Sequence, residues 1–212
     1  MIDNAKLAPL CVRVMSDYIP DEPATEMTYL VAHTRSNWGS LFDKCRIEFP
    51  FPASHRVLIS RNMDVTEEDN GTPDASLWRE ELGRIGFKED DILSFNVHGD
   101  ANTFTEMVAM VNFAKENGLK RLRFRAVPFQ QPRAFITVVS VLLKQYPELR
   151  IYNSAGCPLP PNEPMRSSQN TLVGRRVNEF ELEIEKIHRY HANDSLVDVE
   201  AVLDYLEWRD RA

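Results

Sequence analysis

Short apolar runs alternate along this chain with longer amphipathic ones, and that alternation restricts the fold more than anything else in the sequence. Parallel strands have to be joined through crossovers of roughly a dozen residues or more, usually helical, so such a rhythm reads as successive βα units. The apolar runs 27–32, 56–60, 92–97, 121–127 and 150–153 are the five expected strands, with helices expected over 37–48, 74–85, 103–116 and 132–146. The last two helices are the most clearly written. Met107, Val108, Met110, Val111 and Ala114 form an apolar stripe that stops at Asn117-Gly118. Ile136, Val139, Leu142 and Leu143 form another, which starts just after Pro132 and stops before Pro147.

The expectation is therefore a Rossmann-like α/β fold, a doubly wound and mainly parallel five-stranded sheet flanked by helices. Helical additions frame a core of about 27–155. Over 6–18, Leu7, Leu10, Cys11, Val14, Met15 and Tyr18 recur at helical spacing before the helix-breaking Ile19-Pro20-Asp21-Glu22-Pro23. Pro158, Pro160, Pro161 and Pro164 mark an irregular connection, and a C-terminal extension over 174–210 reads as two helices, 177–190 and 196–208. At 212 residues, one domain over 1–212 is the economical reading.

Composition narrows the function classes. With 43% hydrophobic and 27% charged residues the chain belongs with folded globular proteins, and its formal charge of −7 gives no general attraction to nucleic acid or to an anionic membrane surface. Cys11, Cys45 and Cys157 are odd in number and widely spaced, which fits reduced packing thiols better than disulfides or a zinc site. No window approaches the roughly 20 apolar residues of a membrane span, and Met1 to Ala8 carries both charge signs without an apolar run. A cytoplasmic location is expected.

In doubly wound sheets, ligands bind outside the carboxyl ends of the strands, so the loops that follow the strands hold the candidates. The first offers His33 and Arg35 with Ser36 at a helix start, either an anion pocket or a structural strand-end histidine. The second offers Asn62, nearest the strand end, ahead of a solvated charge run through Glu67, Glu68 and Asp69. The third, His98-Gly99-Asp100-Ala101-Asn102-Thr103-Phe104-Thr105-Glu106, reads as a capped helix start, with Asn102 or Thr103 as cap and Glu106 as its capping-box partner, or as a ligand site. In the fourth, Phe129-Gln130-Gln131-Pro132-Arg133, the arginine can clamp an anion bidentately or make a surface ion pair. In a first helical turn it opposes the helix dipole and needs another reason to be there. Arg121, Arg123 and Arg125 alternate and so share one face, exposed or paired with carboxylates. His188 and His191 lack a clear third ligand, so no metal site is expected.

The stretches Asp100-Ala101-Asn102-Thr103-Phe104-Thr105-Glu106 and Phe129-Gln130-Gln131-Pro132-Arg133-Ala134, in that order within an α/β frame, resemble the DUF218 (YdcF-like) family. That family's pattern is S/A-x-N-T-x-x-E, a strand, then an aromatic-His-x-x-Arg-Ala stretch. The resemblance spans roughly 27–153 and is strongest over 90–134. It implies a Rossmann-like fold, a pocket over the strand ends and, for the YdcF branch, binding of S-adenosylmethionine. The chain departs from the pattern in three places. Gln130 stands at the family's histidine and cannot exchange a proton. Val97-His98 replaces an acidic residue, and His33-Thr34-Arg35-Ser36-Asn37-Trp38-Gly39 replaces a glycine-rich turn.

Two functions follow as expectations. In the first, His33, Arg35, Asn62, His98, Asn102, Thr103, Glu106, Gln130 and Arg133 hold an anionic or nucleotide-like small molecule. An enzymatic version would use His33 or His98 as general base, Glu106 to orient it and Arg133 to stabilise negative charge. In the second, the chain is a non-catalytic interaction module with a degenerate pocket. It would work through its terminal helices, around Glu179, Glu181, Glu183 and Glu185 and around Tyr205 and Trp208.

Overall fold

The backbone follows the expected rhythm closely. The computed structural model describes residues 4–17, 27–48, 55–63, 74–100, 102–166 and 172–211. Strands β1 (Met27–Leu30), β2 (Arg56–Asn62), β3 (Ile92–Val97), β4 (Arg121–Arg125) and β5 (Arg150–Asn153) form an all-parallel sheet in the order β3-β2-β1-β4-β5. Helices α2 (Trp38–Glu48), α3 (Ala75–Arg84), α4 (Thr103–Glu116) and α5 (Gln131–Gln145) connect successive strands, and every boundary lies within about two residues of its expected place. This is a Rossmann-like α/β fold. Because β1 runs on to β2 on one side and has β4 on the other, the chain leaves their carboxyl ends in opposite directions, which opens a crevice there.

Side chains alternate between two apolar layers, as strands covered on both faces require. Tyr29, Leu58, Phe95, Leu122 and Phe124 face a core shared with Leu10 and Val14, Met107 and Met110, Phe135 and Val139, and Tyr205. Leu30, Val57, Ile59 and Ile92 face the other, against Trp38, Leu41, Phe42, Trp78 and Leu82. On that second face two of the three alternating arginines of β4 find a carboxylate. Glu48 of α2 pairs with Arg125 and, at 3.1 Å, with Arg123. Arg125 is fully buried and also donates to Ser154 O at 3.1 Å.

The helical additions come from α1 (Asn4–Met15), α6 (Val177–Ala192) and α7 (Val199–Asp210). The expected stripe of α1 is buried at Leu7, Leu10, Cys11 and Val14, while Tyr18 and 19–23 lie outside the described residues. The connection after β5 departs from expectation, because β6 (Pro164–Arg166) and β7 (Leu172–Arg175) pair as a short antiparallel ribbon ahead of α6. Strands this short carry almost no periodicity. Gly156 pins the start of the same connection to α2. A Cβ there would lie 2.9 Å from the Ser40 carbonyl oxygen, and the Cys157 N–H reaches that same oxygen at 2.8 Å. No helix among the described residues is long and apolar enough to cross a membrane.

Edge strand β5 is closed by side chains rather than by another strand. Tyr205 Oη accepts from Ile151 N–H at 2.7 Å and donates to Leu149 O at 3.0 Å, and Arg209 Nη1 donates to Ile151 O at 2.7 Å. Asp17 holds Arg209 at 2.6 and 2.7 Å and accepts from Asn153 N–H at 2.8 Å. Tyr205→Phe removes the acceptor of a buried N–H and is expected to lower the unfolding free energy by about 1–3 kcal/mol in urea titration, with the fold retained.

Candidate functional site

The loop after β1 brings His33 under the crevice and fixes it there. Its Nδ1 accepts from Thr34 N–H at 2.8 Å and from Asn37 Nδ2 at 3.0 Å, and Trp38 Nε1 donates to His33 O at 3.1 Å. The ring lies edge-on to Phe129, with centroids 5.7 Å apart and planes at 87°. Two donors on Nδ1 put the neutral ring's proton on Nε2. Burial lowers the His33 pKa from 6.5 to about 4; the Glu183 charge opposes that shift, and those of Arg133, Lys186 and Arg176 reinforce it. The imidazole is thus a neutral donor at pH 7. Its one basic nitrogen is already occupied, which leaves no free lone pair for a general base.

Glu106 departs from its expected place in a capping box. Asn102 is the cap, its Oδ1 accepting from Phe104 N–H at 2.9 Å and Thr105 N–H at 3.1 Å, and Thr105 Oγ1 returns the bond to Asn102 N–H at 3.1 Å. Glu106, one residue further on, turns inward. Its Oε1 accepts from the Tyr29 hydroxyl, from Ala32 N–H at 2.9 Å and from Ser60 Oγ at 3.1 Å. Burial outweighs these donors and pushes its carboxyl from 4.5 up to about 7.

Arg133 finds the reason for its place in the first turn of α5. Its guanidinium pairs with Glu183 of α6, the two side chains being 7% and 4% exposed, so the pair is buried rather than the surface one considered from sequence. Lys186 holds the other Glu183 oxygen at 2.6 Å. Burial alone would raise the Glu183 pKa, but Arg133 and Lys186 override it and hold the carboxyl below its ordinary 4.5. Two neighbouring polar groups lack partners. Gln130 and Glu179 are 4% and 2% exposed, and the Oε1 of each has no hydrogen bond.

Of the residues singled out from the sequence, the structure groups His33, Glu106, Gln130 and Arg133 around the crevice. The others stand apart. Arg35 is exposed, its guanidinium over the Trp38 ring at 5.8 Å. Asn62 ends the β2 ladder opposite Val97. His98 lines a separate groove of about 670 Å³ along β3 with Phe104, Val108 and Phe113. Asn102 serves the helix cap on the exterior, and Thr103 is the first residue of α4. Sequence reasoning did not place Asn37 at the site, and it named Glu183 only on a terminal helix offered to a partner, not as the carboxylate that Arg133 meets. The signal for Glu183 was its register within α6, on one face with Phe180, Ile184 and Ile187, where a carboxylate needs a buried cation. Among the described residues no group of three His, Cys, Asp or Glu is placed to hold a metal ion. The chain matches no protein-family model and no curated protein sequence.

Two measurements check this electrostatic picture. Because the Glu106 pKa is raised on folding, its contribution to stability is fully present below 4.5 and is lost as pH rises through about 7. Glu106→Gln cannot ionise, so wild type should lose on the order of 3 kcal/mol relative to it between pH 4.5 and 7.5, as read by urea unfolding. A constant difference across that range would refute the assignment. Arg133→Ala leaves the buried Glu183 charge to Lys186 alone and is expected to cost about 3 kcal/mol, most of it recovered when both partners are replaced, as in Arg133→Met with Glu183→Leu.

Proposed function

We propose that this protein acts in the cytoplasm and binds a small nucleotide-like or anionic molecule in the crevice between the carboxyl ends of β1 and β4. S-adenosylmethionine is the example that the resemblance to DUF218 proteins implies. The observation that carries the reading is the Gln130 amide, buried beside the His33 loop with an oxygen that no protein donor reaches. Such an oxygen costs about 1–3 kcal/mol when left dry, a cost that an amine or hydroxyl donor on a ligand removes. The neutral Nε2–H of His33 and the Arg176 guanidinium, whose Nε has no partner, supply the donors that an anionic group needs.

One observation favours the second reading, a non-catalytic interaction module with a degenerate pocket. Glu183 already stands on Arg133, where an external anion would otherwise bind. Thermal unfolding against S-adenosylmethionine, nucleotides, sugar phosphates and small carboxylates separates the two, since a ligand specific for the folded state raises the midpoint. The expected result is a rise with one class that is lost in Gln130→Leu, a change that deletes an unpartnered polar atom and keeps the fold. No rise with any compound, or a rise that Gln130→Leu leaves intact, overturns the small-molecule reading.

A further inference from the structure

Beyond Phe129, whose ring meets His33, the structure opens into an apolar cavity. A cavity of about 290 Å³ lies beside Phe129, lined by Met15, Pro128, Pro158, Leu159, Phe180 and the first residues of α6. Met15, Val177 and Phe180 line it although they are 41%, 55% and 45% exposed, so large apolar side chains gather at its mouth. The lining has one charged member, Arg176, which is 6% exposed. Its Nη1 donates to Pro160 O at 2.6 Å and to Glu163 Oε2 at 3.0 Å, while its Nε–H has no partner. Glu163 is 56% exposed and free to swing into water.

The geometry points to a small apolar carboxylic acid as the ligand of this cavity, its hydrocarbon body against Phe129, Leu159 and Phe180 and its carboxylate on Arg176; this narrows, and rests on, the reading of the crevice as a binding site. Three features select that class. Among the described residues the walls carry no polar side chain besides Arg176, so a sugar or a polyphosphate would lose hydration without compensation. The guanidinium's planar fork, with Nε still unpaired, suits a two-oxygen carboxylate. The volume is roughly twice the ~150 Å³ that admits benzene, which suits a phenyl ring with a short chain. Arg133, sealed by Glu183, holds the helix above the cavity instead of receiving the anion.

The test is calorimetric titration of the full chain with 3-phenylpropionate, with 3-phenylpropanol as the uncharged control of equal shape. The acid is expected to bind about tenfold or more tightly than the alcohol, and Arg176→Met to abolish that difference. Phe180→Ser, at an exposed position, should weaken both compounds. Because Arg176→Met also loses the bond to Pro160, Glu163→Gln provides a gain that misfolding cannot mimic: with the competing carboxylate neutralised, the acid should bind about threefold more tightly and the alcohol no differently. Equal affinities for acid and alcohol, or an acid affinity that neither Arg176→Met nor Glu163→Gln changes, overturn the assignment. If that happens while Gln130→Leu still abolishes a ligand-induced rise in midpoint, the crevice remains a binding site and only the carboxylate on Arg176 is lost.

Discussion

A guanidinium buried at the carboxyl end of a parallel sheet has to meet a carboxylate, and Arg133 meets the one that α6 carries. Leaving either charge alone in that environment would cost several kcal/mol, so the Arg133–Glu183 pair ties α6 to the first turn of α5. Much of the site follows from that constraint. Lys186, three residues on from Glu183, completes the charge balance, and Arg176, at the start of the same helix, is carried to the cavity wall. With α6 lying over it, His33 is buried and neutral.

The same burial acts oppositely on the two titratable groups that flank β1. It disfavours the charged form of each, driving the imidazole of His33 down and the carboxyl of Glu106 up. At neutral pH the crevice therefore presents a donor at His33 and a half-protonated acid at Glu106, with permanent charge confined to Arg133, Glu183, Lys186 and Arg176. Perturbed groups of this kind cluster where folds bind or transform ligands, although ion-pair networks built for structure produce them too. The unpartnered oxygens of Gln130 and Glu179 are what the proposed ligand reading draws on, since each is buried without a donor.

The legible part of this structure is the part written in local periodicity. The five strands and the four crossover helices follow from spacing alone, because each depends on neighbours within a few residues; the shared face of the β4 arginines follows in the same way, but their partner Glu48 lies 75 and 77 residues away. Glu106 was harder. Asn102-Thr103-x-x-Glu106 satisfies a capping box on paper, but Asn102 takes the cap with Thr105 as partner, and the one-residue offset turns Glu106 into the core. Arg133 signalled through its conflict with the helix dipole that something waited for it, yet its partner lies 50 residues away on a helix whose docking no local pattern specifies. The cavity is assembled from α1, the turn after β4, the proline-rich connection and α6, four segments that share no spacing.

As an anion site, the proposed arrangement inverts the usual division of labour. Its ionic groups face inward and satisfy one another, and the surface it offers to solvent at the cavity mouth is Met15, Val177 and Phe180. With a formal charge of −7 and a screening length of about 8 Å at physiological salt, the protein as a whole does not steer an anion from a distance. Attraction has to begin at contact, through apolar area at roughly 25 cal/mol per Å², and only a molecule already seated by its hydrocarbon part comes within reach of a guanidinium. Such a site discriminates first by shape and hydrophobicity and second by charge. The buried pair behind it holds the helix that gives the cavity its shape, and need not touch the ligand to be required for binding it.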